Sequence, residues 1–215
     1  MSLHLYFHPL SSYCQKVIIA FYENDIPFER HLVNLMDPVA AAEFRKMWPI
    51  GKFPVVRDEA MDRMIPESTI IIEYLAQHYP GNVQLVPSDA DLARQTRLRD
   101  RFYDLYLQGP MQKIVGDRLR PEGSRDPHGV EQAKGSLHTA YRMIDEEMAS
   151  KTWAMGDAFT MADCAAAPAL FYANRAVPFG DIYKNVAAYF DRLMARPSYA
   201  RSVVEAQPYF HMIPI

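Results

Sequence analysis

Apolar and polar positions change period repeatedly along the first eighty residues. Short runs of strand type at residues 3–7, 28–35, 53–58 and 61–65 alternate with helical patterns at 13–24, 39–47 and 67–79. Such alternation predicts a small α/β layer fold. In the first helix Cys14, Val17, Ile18 and Phe21 recur at helical spacing, so this stripe is expected to face the sheet, with Gln15, Lys16 and Glu23 turned outward. Strand signals vanish after Val83. Pro80, Gly81, Pro87 and Ser88 mark a connection, and the pattern beyond it is helical almost throughout. The expected organisation is an α/β domain over 1–82, a linker over 83–90 and an all-α domain over 91–215.

Composition adds exclusions. Apolar residues make up 49% and charged residues 23% of the 215, an ordinary globular mixture that argues against disorder or a fibrous class. The most apolar stretch, residues 164–173, is about half a membrane span and contains Pro168. The first residues lack a basic segment leading into an apolar one, so a soluble cytoplasmic protein is expected. A net charge of -3 and a pI near 6.2 give no electrostatic footprint for nucleic acid. Cys14 and Cys164 make no disulfide framework and have no metal-ligand spacing, and the seven histidines are scattered. No metal site is expected.

Four short segments carry candidate chemistry. Ser11-Ser12-Tyr13-Cys14 follows the first strand and opens the first helix. Hydroxyls and free N–H groups at a helix start favour negative charge there. Cys14 lies on the buried stripe and reads as a packed thiol. Gly51-Lys52-Phe53-Pro54-Val55 puts a proline at the start of a strand, which fits either an edge strand or a cis Phe53–Pro54 bond that presents backbone groups to an extended peptide. Pro66-Glu67-Ser68-Thr69 leads into an apolar helix; Ser68 is placed to cap it or to help bind a carboxylate. Thr160 and Asp163 have capping-box spacing, a structural role whose loss costs about 1 kcal/mol from the cap alone.

The first segment resembles the glutaredoxin motif Cys-Pro-Tyr-Cys with serine in place of the first cysteine. A serine forms no mixed disulfide but donates a hydrogen bond to another molecule's thiolate. In this order the four segments resemble the serine-type glutathione S-transferases, which implies a thioredoxin-like domain followed by a helical one. The resemblance implies that Ser11 stabilises the glutathione thiolate, with Ser12 as the alternative. It further implies that Phe53 and Pro54 hold the cysteinyl backbone, that Glu67 and Ser68 meet the γ-glutamyl end, and that Lys52 meets the glycyl end. Family members are usually homodimers, and Arg94, Arg97 and Arg101 on one helix face, interleaved with Asp91, Asp100 and Asp104, form either a solvated ion-pair face or a subunit contact. Leu10, Tyr103, Tyr106 and Leu107 are candidates for the second-substrate pocket, with core packing the alternative for the last three. The apolar segment 207–215 is expected to dock and close that pocket.

A free thiol of pKa about 8.5 is about 3% ionised at pH 7, and lowering it to about 6.5 raises this roughly 25-fold. Orientation of an electrophile would supply the rest. The expected activity is attack of glutathione on a small hydrophobic electrophile. A zeta-like glutathione-dependent isomerase and a non-catalytic binding module are the rival readings; Tyr13 and Gln15 depart from the zeta motif, and retention of Ser11, Phe53-Pro54 and Glu67-Ser68 weighs against an emptied site.

Overall fold

The computed structural model describes residues 2–214; Met1 and Ile215 lie outside them. Strand β1 (Leu3–Phe7), helix α1 (Ser12–Glu23) and strand β2 (Glu29–Leu32) form a β-α-β unit with its strands parallel. Helix α2 (Pro38–Met47) then leads to the antiparallel pair β3 (Val55–Asp58) and β4 (Arg63–Pro66), followed by α3 (Ser68–His78). The sheet order is β2-β1-β3-β4. Along β1, Leu3, Leu5 and Phe7 are buried while His4 and Tyr6 point to the other face, the two-residue alternation of a strand.

Residues 79–89 form no helix or strand, and from α4 (Ala90–Phe102) onward the regular elements of the described residues are all helices. A π-helical turn, Tyr103–Gln108, joins α4 to α5 (Gly109–Arg118). Helix α6 (Pro127–Met148), the buried α7 (Met161–Ala176), α8 (Lys184–Ala195) and α9 (Pro197–Ala206) complete the helical layer, and a 3-10 segment, Gln207–Met212, ends it. Among the described residues no helix is long and apolar enough to cross a membrane.

One apolar cluster runs through both parts, from Leu3 and Val17 to Leu170 and Tyr199. This joint core overturns the outward placement of Gln15, Lys16 and Glu23. Helix α1 is wedged between the sheet and the helical layer, so its polar face is itself an interface. Gln15 is 1% exposed, and its Nε2 donates to Pro9 O at 2.8 Å. The Glu23 carboxylate accepts from Arg196 Nε at 2.7 Å and from the Ser198 hydroxyl. Lys16, also 1% exposed, reaches across to Asp100 and Asp104 at 2.7 and 2.8 Å.

Thr160 and Asp163 form the capping box at the start of α7. Asp163 does more than cap. It accepts from Thr160 N (2.8 Å), Thr160 Oγ1 (3.1 Å), Ala154 N (2.8 Å) and Tyr189 OH (2.6 Å) while fully buried. Four donors would lose their acceptor with it, so the cap alone understates its worth.

Candidate active site

Helix α1 begins where the chain leaves β1 through a tight turn. Ser11 N donates to His8 O at 3.0 Å and Leu10 N to His8 Nδ1 at 3.2 Å. Ser11 is the N-cap, extended at φ -75° and ψ 120°, and its Oγ accepts from Cys14 N at 3.3 Å. The cap engages an oxygen lone pair and leaves the hydroxyl proton available to an acceptor outside the helix. Ser12 is buried. The Cys14 thiol is fully buried, and burial pushes its pKa up to about 12 despite hydrogen bonds with Ser11 and His8. It stays a thiol at neutral pH, unsuited to act as a nucleophile.

Ser11 opens onto a cavity of about 590 Å³ whose first-domain wall includes Lys52, Phe53, Pro54, Glu67 and Ser68. The Phe53–Pro54 peptide is cis. Gly51, just before this segment, sits at φ +67°, where an added Cβ would also press on the Arg45 side chain. Glu67 is the second unusual backbone position, a non-glycine residue at φ +71°. It immediately precedes α3, whose first N–H groups carry no side-chain cap. Such a conformation costs on the order of 1–3 kcal/mol and concentrates at functional sites. The start of α3 thus presents unpaired donors and the positive end of a dipole beside an exposed carboxylate.

The helical layer supplies the facing wall through Arg101, Asp104 and Gln112. Beneath it the buried Lys16 ammonium donates to Asp104 Oδ2 and to Thr69 Oγ1 at 2.9 Å, and Thr69 donates onward to Asp100 Oδ2 at 2.6 Å. Desolvation raises the Asp104 pKa, the Lys16 charge opposing it. This network joins α1, the first turn of α3 and α4 into one floor. Nearby Arg94 and Arg97 pair with Asp91 and Glu73 on the exposed surface, so the charged face expected at this helix is solvated at Arg94 and Arg97 but buried at Asp100 and Asp104.

A second cavity of about 460 Å³ adjoins the first. Leu10, Ser11 and Ser12 line one side, Met111, Val115 and Leu119 another, and Met212, Ile213 and Pro214 a third. The docking of the C-terminal segment rests on aromatic packing: Phe210 lies 5.8 Å from Phe171 and Tyr209 lies 5.2 Å from His8. Ser11, Tyr13 and Gln112 belong to both cavities. The Tyr13 hydroxyl pKa is pushed up to about 12, first by burial and then by the Asp104 charge, so it is a neutral donor at pH 7.

Of the residues expected at the second pocket, Leu10 lines it, whereas Tyr103 (3% exposed) and Leu107 (fully buried) belong to the core and Tyr106 points to solvent at 55% exposure. The π-helical turn accounts for Tyr106: its i→i+5 geometry brings Gln108 onto the buried side with Tyr103 and Leu107 and swings Tyr106 out, whereas Tyr103 and Leu107, four residues apart, share a face in either kind of helix. The sequence assigned Tyr13, Thr69 and Gln112 no role at the site and set Arg101 on a charged helix face instead. The only sequence cue for Tyr13 was its position between the two candidate hydroxyls and the buried thiol.

With this geometry in place, the relatives are informative. Residues 5–83 match the family of glutathione S-transferase N-terminal domains and residues 102–197 that of glutathione S-transferase C-terminal domains. The chain is 24% identical over 195 residues to glutathione S-transferase GstB of Escherichia coli K12, across 90% of this chain and 94% of that protein. It is 26% identical over 205 residues to a stringent starvation protein A homolog of Haemophilus influenzae, across 91% and 87%. A glutathione S-transferase from Methylobacillus flagellatus, solved with glutathione bound, superposes with a TM-score of 0.80 at 25% identity, covering 94% and 98% of the two chains.

Proposed function

The chain belongs to the glutathione S-transferase family, and on that premise we propose that it binds glutathione in the polar cavity and joins its thiolate to small apolar electrophiles seated in the adjoining one. The observation that carries this reading is the position of Ser11 in the walls of both cavities, with its Oγ already accepting from Cys14 N. Its proton is left to point at a sulfur placed between the cavities. A hydrogen bond to the charged form lowers the thiol pKa, and the nearby helix start acts in the same direction. Ser12, lining only the apolar cavity, is the weaker alternative.

The remaining assignments follow the chemistry of each wall. Glu67 takes the γ-glutamyl ammonium, and Ser68 with the α3 N–H groups takes its carboxylate. Backbone groups of Phe53, next to Pro54, pair with the cysteinyl residue as an added strand would. Lys52 meets the glycyl carboxylate. The new carbon–sulfur bond forms as the thiol proton passes to solvent, while the electrophile either expels its leaving group or gains a proton. The described glutathione-bound relative supports the first substrate, and the apolar lining supports the class of the second.

Pairing of two copies also belongs to this reading. Leu98 on α4, among the Arg94 and Arg97 pairs, is 59% exposed and Leu105 on the π-helical turn 48%, and sedimentation at micromolar concentration is expected to give twice the 24.7 kDa chain mass. The central experiment is calorimetry with glutathione followed by turnover of an aryl halide, an enone and an organic hydroperoxide. The expected result is one glutathione per chain and conjugation of at least one electrophile. Binding without any turnover would leave a binding module, and glutathione-dependent isomerisation of an enone without net consumption of glutathione would favour the isomerase. Absence of glutathione binding would overturn the whole reading.

A further inference from the structure

The outer face of the sheet carries a cluster that the proposed reaction does not use. Pairing of β1 with β2 sets His4 opposite Glu29 and Tyr6 opposite His31. Because alternate residues of a strand share a face, His4, Glu29 and His31 come together although the two histidines are 27 residues apart. His4 Nδ1 lies 3.0 Å from His31 Nε2 and 3.6 Å from Glu29 Oε2, and His31 Nε2 lies 3.3 Å from Glu29 Oε1. Zinc bonds of about 2.0–2.1 Å arranged tetrahedrally set donor atoms about 3.3 Å apart. Glu29 faces His4 with Oε2 and His31 with Oε1, and one donor atom from each of the three residues lies within 4.8 Å of the others, so small side-chain rotations close the three onto such an ion.

The surroundings orient the donors. Glu59 Oε2 stands 3.3 Å from the other nitrogen of His4, Nε2, a buried atom that makes no hydrogen bond. A carboxylate this near favours the proton on Nε2 electrostatically and so leaves the Nδ1 lone pair facing His31; a carboxylate behind the ring is the usual companion of a histidine ligand. The Tyr6 ring stacks on His31 at 4.7 Å and 17°, fixing its plane. Arg57 lies opposite His4 on β3, and its guanidinium is paired with Asp62. Glu29 and Glu59 therefore remain to balance an incoming charge. The His4 side chain is 14% exposed, against 32% for His31 and 53% for Glu29, so an ion reaches the cluster from solvent without opening the fold.

We infer that His4, His31 and Glu29 form a site for a divalent transition ion of the zinc type on the outer face of the β1–β2 pair. Two imidazoles and one carboxylate suit zinc or cobalt rather than magnesium or calcium, which take oxygen donors. Three protein ligands leave one tetrahedral position for water. The two strands joined are those that set the position of the Ser11 turn at the end of β1.

The test uses the untagged full chain without glutathione, which itself binds metals; both cysteines are buried and do not compete. Titration with zinc is expected to show one ion per chain with a dissociation constant on the order of micromolar. Cobalt is expected to develop the intense visible bands of a four-coordinate ion. His31→Ala should abolish both signals, Glu29→Gln should weaken binding tenfold or more, and Glu59→Gln, acting through His4, about tenfold. All three positions are at least partly exposed, and circular dichroism melts without metal establish that the variants fold. Absence of stoichiometric zinc binding by the wild-type chain, or wild-type affinity and cobalt spectrum in His31→Ala, would overturn the assignment; in that case His31 simply donates to His4.

Discussion

The two cavities that meet at Ser11 are built in different ways. The polar one is framed largely by backbone: the Phe53–Pro54 corner, the positive φ of Glu67 and the uncapped start of α3. The apolar one is framed by side chains from α5, α7 and the C-terminal segment, with Tyr172 tying the two domains together through its hydrogen bond to Leu10 O at 2.7 Å. Backbone geometry changes little when a side chain is substituted, so the first wall suits a constant ligand. The second can be reshaped residue by residue, as a varied set of electrophiles would require.

The sharpest way to break this contrast is to attack the floor beneath the polar cavity. Lys16→Met leaves Asp100 and Asp104 buried without their cation and is expected to cost about 3–5 kcal/mol in denaturant unfolding. Adding Asp104→Asn should return part of that loss; simple additivity of the two changes would show that the pair is not coupled. Next comes Glu67→Ala, expected to weaken glutathione binding by about 1.5–3 kcal/mol in calorimetry while leaving an apolar dye in the second cavity bound as before. An equal loss of both would merge the two cavities into one functional unit.

Ser11→Ala probes their junction. Absorbance titration of the bound thiolate should show a higher pKa, and turnover should fall by up to roughly 25-fold at pH 7, with little change in glutathione affinity. The same shift from Ser12→Ala instead would reassign the donor. The smallest effect is expected from Ile213→Ser, which trims a half-buried apolar wall and should raise the KM for the electrophile by about 1 kcal/mol of binding, with glutathione KM unchanged.

How far these features could be read from residues alone depended on how local they are. The alternating runs that specify β1 through α3 lie within single elements, as do Ser11, Glu67-Ser68 and Thr160-Asp163, and local spacing reveals them. Lys16 and Gln15 misled because α1 packs on two sides, and a polar position facing an interface looks the same in sequence as one facing water. Tyr106 misled because the π-helical turn shifts the phase of the helix, while Tyr103 and Leu107 took the core packing that was their alternative. His4 and His31 looked scattered because only the register of β1 against β2 brings them together. The second cavity draws on residues near positions 10, 115, 172 and 213, which no local pattern connects.

The place of the C-terminal segment in that cavity has a consequence for biosynthesis. Met212, Ile213 and Pro214 follow in the chain every other residue they meet there, so during translation the first domain and most of the helical layer emerge before the apolar pocket has its third wall. Residues such as Met111, Val115 and Leu119 are then open to water until this segment settles against Phe171, and apolar surface exposed in this way is what chaperones bind and what aggregates. This segment thus completes the pocket and also shields it.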